Sequence, residues 1–333
     1  MVPQTRFTEL LADIEPSPTT KTNASGAHNA VRNHLRTHEA FQDRWEGDFL
    51  AGSYARNTAI RPKQTADGHE RADVDIIVET SFSTTDDPED VLDELCDALE
   101  DCFTVERVNK RSVRVVTSRA EIDVVPVVRT ATGFELPDRD LGYWKSTNPP
   151  AHTTWSSEQN TRFSGRFKPL VKLFKWWRRE NKTGKRPKGF VLEVLVALHA
   201  PTDQAHYGEA FAQMLANIHA AYGSLAALGA KPVVGDPGLY GTGDILSKVS
   251  KTDWLAFMER VRVHAGYARR AQDTDDMEEA TGLWRRLFGD RFKSTENPPK
   301  AVNMSSTTTA SAATGGYMFP DANATPTKPR GFA

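Results

Sequence analysis

Residues 72–79 read ADVDIIVE, and their alternation of apolar and acidic residues is the most informative pattern for the fold. Apolar side chains at every second position project to one face of an extended chain, while Asp73 and Asp75 project to the other. The pattern predicts a half-buried β-strand that presents two carboxylates from one face. Such a pair is electrostatically costly unless a cation lies between the two carboxylates.

Gly52 and Ser53 lie upstream of this strand, between a predicted strand over 48–51 and a predicted helix that starts at Tyr54. The beginning of a helix presents free backbone N–H groups, and the serine adds a hydroxyl. By itself a Gly-Ser pair is only a turn. At a strand-to-helix junction it favours a phosphate-binding site.

Asp123 lies downstream, in a second predicted strand over 120–128. It can join Asp73 and Asp75 on one face if the two strands pair in a suitable register. Three carboxylates suit Mg²⁺ or Mn²⁺ better than Zn²⁺, and two such ions would activate a hydroxyl and hold a triphosphate. The alternative is that Asp73 and Asp75 merely face solvent. Their order in the chain, after Gly52-Ser53 and before Asp123, favours the metal site.

The rest of the chain predicts an α+β protein with a sheet-bearing half followed by a helical half. A long N-terminal helix is predicted over 24–39, after a turn-rich segment, and the NPPAHTT passage after residue 147 marks the boundary. The predicted domains are 1–160, a catalytic lobe with the N-terminal helix; 161–292, a helical nucleotide-binding lobe; and 293–333, a disordered tail.

Composition excludes several classes of protein. The 333 residues carry 42 Lys+Arg against 44 Asp+Glu, a net charge of 42 − 44 = −2, which argues against a protein that mainly coats duplex DNA. Apolar runs are too short to cross a membrane, and a signal-peptide pattern is lacking. Cys96 and Cys102 make neither a disulfide framework nor a zinc cluster. We therefore expect a cytoplasmic protein without a membrane partner.

The segments GSYARNTAIRP, ADVDIIV and EIDVVPVV together resemble the DNA polymerase beta-type nucleotidyltransferase superfamily. More narrowly, the chain resembles the bacterial cGAS/DncV-like nucleotidyltransferases (CD-NTases, SMODS-type) of CBASS anti-phage defence. The narrower resemblance also uses STNPPAHTTW, FKPLVKLFKWWRREN, GFVLEVLVAL, VGDPGLYG and FGDRF, and it spans roughly 20–292. It implies a polymerase beta-like sheet packed on a helical C-terminal lobe, with a long N-terminal spine helix.

The resemblance also implies the chemistry. Gly52 and Ser53 would hold the donor triphosphate, and Asp73 and Asp75 would ligate two Mg²⁺ ions, or Mn²⁺ in their place. Asp123 would ligate the catalytic metal. The implied reaction joins ATP and other NTPs, without a template nucleic acid, into a cyclic di- or trinucleotide second messenger that acts on a downstream effector. The departure from the family pattern is the long polar loop from Pro62 to Arg71.

Basic and aromatic residues supply further candidates. Lys172 and Lys175 lie on one side of a predicted amphipathic helix and are the preferred phosphate ligands; Arg56 is another. The alternative for each is an ordinary solvated basic face.

Glu193, inside an apolar run, needs a basic or hydroxyl partner on a neighbouring helix and is predicted to support the site structurally. Five aromatic residues could stack on bases, although most are expected in the core: Tyr143, Trp144, Trp176, Trp177 and Tyr240.

Two alternatives to a cyclic product stay open at this point. The enzyme could make a linear oligonucleotide or tail RNA, or the chain could be a catalytically silent nucleotide-binding scaffold.

The C-terminal residues PRGFA resemble tails that an E1/E2-like conjugating protein joins to a target through the last residue, here Ala333. The other reading of this segment is an idle tail.

Overall fold

The alternating stretch forms a strand near the middle of a mixed sheet. The structure, a computed structural model, describes residues 1–64, 66, 68, 71–181 and 187–294. The strands are β1 (Trp45–Ala51), β2 (Ala72–Thr80), β3 (Thr104–Val108), β4 (Val113–Val116), β5 (Ala120–Thr130), β6 (Gly133–Asp138) and β7 (Tyr143–Thr147). The main path of the sheet runs β1-β2-β5-β4-β3, and β6 and β7 continue it from β5; β2 and β5 are parallel.

Helices make up most of the remaining described chain, which confirms the predicted α+β class. None of the described helices is both long and apolar enough to cross a membrane. The helices are α1 (Gln4–Ile14), α2 (Pro18–Thr37), α3 (Gly52–Ala55), α4 (Pro88–Glu100), α5 (Pro149–Arg162), α6 (Phe167–Glu180), α7 (Gly189–His199), α8 (Tyr207–Ala227), α9 (Lys251–Asp273) and α10 (Met277–Phe288).

The chain divides into a sheet unit, Pro16–Thr154, and a helical unit that contains Met1–Glu15 and the described residues from Trp155 onward. The first fifteen residues therefore belong to the helical unit, which differs from the predicted division at residue 160. The reason is aromatic packing, since the ring of Phe7 lies 5.0 Å from that of Trp284. The predicted tail lies outside the described residues from residue 295 onward.

Two prolines begin helices where the sequence predicted turns. α2 starts at Pro18 rather than at residue 24, because the Ser17 hydroxyl accepts a hydrogen bond from the Thr20 N–H and caps the first turn. Likewise, Pro149 begins α5 within the NPPAHTT passage. A proline is tolerated in the first turn because its missing N–H would have no partner there. Composition alone suggested turns at both places.

One face of the sheet carries the core of its unit. Val74 and Ile76 of β2 are fully buried, in one cluster with Val31 of α2 and Leu95 and Leu99 of α4. Full burial of such side chains stabilises the fold by roughly 1.5–3 kcal/mol each. Because neighbouring residues of a strand point to opposite faces, this burial leaves Asp73 and Asp75 on the face away from that core.

The helical unit has an aromatic core that encloses one histidine. Trp177 of α6 is fully buried, and its indole N–H donates to Nδ1 of His264 on α9 at 2.9 Å. Burial, together with the nearby charge of Arg260, lowers the pKa of His264 to about 4. A neutral imidazole is required here, because only a deprotonated Nδ1 can accept the indole hydrogen.

We predict that His264 makes the helical unit acid-sensitive. Its folded pKa lies below that of the unfolded chain, so its contribution is intact above about pH 6.5 and is lost as pH falls toward 4. The loss at pH 5 should be on the order of 2 kcal/mol. His264→Asn keeps an acceptor but does not titrate, so its Tm should fall less than that of the wild type between pH 7.5 and 5. Parallel curves of Tm against pH would contradict this.

Candidate active site

The parallel pairing of β2 with β5 brings the predicted carboxylates together. Asp75 lies directly opposite Asp123, and Asp73 lies opposite Glu121. Residues in register on adjacent strands project to the same face, so all four side chains share one surface of the sheet. This is the register that the metal-site interpretation requires.

Gly52 lies against the middle of this cluster. Ala51, the last residue of β1, pairs with Asp75, and Gly52 then turns the chain into α3 with a φ of 66°. A Cβ at Gly52 would come within 1.6 Å of the Asp75 Oδ2 atom. Only glycine therefore lets the Asp75 carboxylate lie against the backbone at the start of α3.

Ser53 follows at the first turn of α3, where the chain folds back on itself. Its carbonyl oxygen accepts hydrogen bonds from the N–H groups of Thr58 and Ala59 at 3.0 and 3.1 Å. Together with Gly52, this places the predicted phosphate-binding pair at the edge of the carboxylate face. The sequence predicted a helix that starts at Tyr54, whereas α3 begins at Gly52 and ends at Ala55.

The carboxylate face carries a surplus of negative charge. Burial raises the pKa of Asp75 to about 7, and repulsion by Asp73 and Asp123 adds to the shift; Arg56 and Arg114 act in the opposite direction. The guanidinium charges therefore compensate only in part. Because the ionised form of Asp75 is disfavoured, further positive charge beside it would stabilise the carboxylate.

Arg114 of β4 is a site residue that the sequence analysis missed. It pairs with Asp123 in the β4–β5 ladder, and its guanidinium bonds to Asp123, to Asp73 at 3.1 Å and to Glu121 at 2.8 Å. The signal in the sequence was a basic residue at an alternating position in VRVV. Only the strand order shows that this position is next to Asp123.

The loop between β3 and β4 also holds Asp123. The Asn109 amide and the Ser112 hydroxyl donate to Asp123 Oδ1 at 3.2 and 3.4 Å. The Arg114 Nε–H donates to the same oxygen at 3.0 Å. Asp123 is therefore fixed in orientation by three donors from one hairpin.

The donor set fits a divalent cation of the magnesium type. Carboxylate oxygens are the ligands that Mg²⁺ and Mn²⁺ prefer, and burial together with repulsion by Asp73 and Asp123 raises the pKa of Asp75. Within the described chain, no three ligating side chains already stand in metal-binding geometry. One guanidinium, that of Arg114, engages both Asp73 and Asp123.

The predicted phosphate ligands take different positions. Arg56 is buried in the sheet unit, and its charge lowers the pKa of Asp75. In the helical unit Lys172 pairs with Glu15 at 2.5 Å, and Lys175 pairs with Glu193 at 2.8 Å; both ammonium groups are buried. The alternative of a solvated basic face is therefore wrong for these two lysines, and their role as phosphate ligands stays a prediction.

Glu193 has the kind of partner that the sequence required. It lies fully buried in α7, and Lys175 of α6 donates to it. The stem of Lys175 passes close over Gly189, where a Cβ would come 3.0 Å from its Cε atom. The structural role predicted for Glu193 is consistent with this buried pair.

The expectation that most of the aromatic candidates are core residues is confirmed. The indole N–H groups of Trp144 and Trp176 donate to backbone carbonyls, and both side chains are buried, as is Trp177. Tyr143 and Tyr240 are exposed. The proposed conjugation residue, Ala333, lies outside the described residues, as do positions 65, 67, 69 and 70 of the polar loop.

Comparison with known proteins finds a matching family model and a similar fold. Residues 1–160 match the family model of the Second Messenger Oligonucleotide or Dinucleotide Synthetase domain. The fold is similar to that of the Bradyrhizobium diazoefficiens CD-NTase CdnG in complex with GTP, with a TM-score of 0.70 at 18% identity, over 86% of this chain and 94% of that one.

Two sequence relatives extend the comparison to the whole chain. A cyclic AMP-AMP-AMP synthase from an Acinetobacter species is 43% identical over 338 residues, which covers 100% of this chain and 98% of the relative. The chain belongs to the CD-NTase family. A more distant member, the cyclic AMP-AMP-GMP synthase of Enterobacter hormaechei, is 26% identical to this CD-NTase, over 87% of this chain and 91% of the relative. This CD-NTase is thus a nucleotidyltransferase that makes a cyclic oligonucleotide second messenger.

We predict that Gly52→Ala inactivates this CD-NTase. The new methyl group would displace the Asp75 carboxylate, and a misplacement of about 1 Å costs roughly a hundredfold in rate. Pyrophosphate release from ATP measures the rate. The matched control is Gly26→Ala in α2, where the Cβ makes an ordinary contact of 3.4 Å with Arg119. A Gly52→Ala rate within about threefold of wild type would contradict the close approach.

Proposed function

We propose that this CD-NTase makes cyclic AMP-AMP-AMP from ATP, as part of anti-phage defence signalling. The observation that carries the catalytic part is the shared face of Asp73, Asp75 and Asp123 beside Gly52. The choice of adenine and of a cyclic product with three nucleotides is supported by the relative at 43% identity, which is a cyclic AMP-AMP-AMP synthase. A nucleotide-activated effector downstream follows from a second-messenger role.

We propose that Asp73, Asp75 and Asp123 hold two Mg²⁺ ions. When bound, such ions neutralise the triphosphate and lower the pKa of the attacking hydroxyl. Asp75 would hold the ions together with Asp73 and Asp123, because its carboxylate lies between Asp123 on the next strand and Gly52 at the turn. Asp123 keeps its orientation through Asn109 and Ser112, which donate to the same oxygen.

The remaining chain groups bind the donor nucleotide and neutralise charge. The N–H groups of Gly52 and Ser53 and the Ser53 hydroxyl would bind the phosphates at the start of α3. Arg56 adds a buried positive charge within reach of Asp75. Charge neutralisation and positioning supply most of the catalysis in phosphoryl and nucleotidyl transfer, so a covalent enzyme intermediate is unnecessary.

The proposed reaction is a nucleophilic displacement at the α-phosphate of the donor nucleotide. The acceptor ribose hydroxyl forms a new P–O bond and loses its proton, and the bond between the α-phosphate and the bridging oxygen breaks. One pyrophosphate leaves for each phosphodiester formed. Ring closure is the same reaction within one linear intermediate, so the cyclic product retains no terminal phosphate.

We predict opposite effects of Asp75→Asn on activity and stability. Pyrophosphate release should fall by roughly a thousandfold, because a neutral amide cannot replace a carboxylate that would hold the metal ions. The Tm without added metal should be unchanged or higher, because the cost of burying a charge and the repulsion from Asp73 and Asp123 both disappear. The control is Asp97→Asn, an exposed aspartate of α4 in the same unit. Persistent turnover by Asp75→Asn would refute the assignment.

We predict that ATP alone is sufficient as substrate. Incubation with each NTP alone and in pairs, followed by mass spectrometry, should give the mass of cyclic triadenylate whenever ATP is present. The product should resist phosphatase, since it has no terminal phosphate. A phosphatase-sensitive product would instead indicate a linear oligonucleotide synthase or an RNA-tailing enzyme. A requirement for GTP would contradict the proposed base choice.

A further inference from the structure

Arg114 occupies an unusual place for a basic residue. Its strand, β4, lies next to β5, and the side chain reaches across Asp123 toward β2, where it contacts Asp73. The guanidinium is largely buried, with 14% of the side chain exposed, whereas 65% of the Asp73 side chain is exposed. A positive charge therefore already lies within the carboxylate face that is proposed to bind metal ions.

The contacts of Arg114 divide into two sets. One set engages proposed metal ligands: Nε donates to Asp123 Oδ1 at 3.0 Å, and Nη2 donates to Asp123 Oδ2 and to Asp73 Oδ1. The other set is the single bond from Nη1 to Glu121 Oε2 at 2.8 Å. Glu121 is not a proposed ligand, so Arg114 would keep one carboxylate partner when metal ions occupy Asp73 and Asp123.

A guanidinium and a divalent ion compete for the same oxygens. Each carboxylate oxygen that accepts a hydrogen bond from Arg114 is less available to a metal ion, and the guanidinium charge repels that ion directly. The charge of Arg114 cannot be relieved by deprotonation, because a guanidinium group stays protonated in proteins. The competition is therefore resolved only by movement of the side chain.

We propose that Arg114 is an internal counter-cation that occupies the aspartate cluster in the metal-free enzyme and withdraws toward Glu121 when divalent ions bind. Arg114 is thus a positioning residue that sets the affinity of the site for metal ions. It stabilises the clustered carboxylates before substrate arrives, and it lowers the affinity for free ions. This inference depends on the proposed metal-dependent function.

The test is direct measurement of Mn²⁺ binding by the nucleotide-free, full-length protein, by electron paramagnetic resonance of the free ion. Arg114→Gln should bind Mn²⁺ about tenfold more tightly than wild type, which corresponds to about 1.4 kcal/mol. Arg114→Lys, which retains the charge but not the forked hydrogen bonds, should lie between wild type and Arg114→Gln in affinity. If Arg114→Gln does not fold, as judged by thermal unfolding, Arg114→Met provides the neutral side chain.

The matched control is Arg119→Gln, which removes the same charge from the exposed turn between β4 and β5. Its Mn²⁺ affinity should equal that of wild type. An unchanged or weakened affinity in a folded neutral variant of Arg114 would overturn the inference while leaving the metal site intact. Arg114→Gln protein that binds no more Mn²⁺ than the same variant with Asp73→Ala and Asp75→Ala added would overturn the metal site and the inference together.

Discussion

Repulsion among carboxylates on one face of a sheet is the constraint on which the rest of this structure depends. Asp75 and Asp123 lie side by side because two parallel strands pair in register, and Asp73 lies one pleat away on the same face. Burial and mutual repulsion hold the pKa of Asp75 near 7. The fold therefore needs positive charge beside these carboxylates. Nucleotidyl transfer also needs positive charge at this position, to neutralise the triphosphate.

The surrounding chain accommodates this cluster by several independent means. The opposite face of the same strands is apolar and packs in one core cluster with α2 and α4, which keeps the register rigid. A one-residue slip would turn the carboxylates into that core. Gly52 provides space for Asp75 by lacking a side chain, and the β3–β4 hairpin fixes Asp123 through Asn109 and Ser112.

The helical unit handles buried charge in a different way. Lys175 and Glu193 are both buried and bonded to each other, and Lys172 is bonded to Glu15 of the N-terminal segment. Removing one partner of a buried pair leaves an uncompensated charge, which typically costs 3–5 kcal/mol. These lysines therefore contribute to the folding of the helical unit, whatever contact they make with nucleotide. Their pairing also explains why an acidic residue is retained inside the apolar helix α7.

The sequence by itself determined which residues alternate, and therefore that Asp73 and Asp75 share a face and that Gly52-Ser53 closes a strand. These features are local, since strand periodicity and the conformational freedom of glycine act over a few residues. Sequence also indicated the α+β class and the need of Glu193 for a partner. Tertiary structure alone decided the register that places Asp123 beside Asp75, the strand order that brings Arg114 to both, and the membership of Met1–Glu15 in the helical unit. Those outcomes depend on pairing and packing between residues far apart in the chain, which no local pattern specifies.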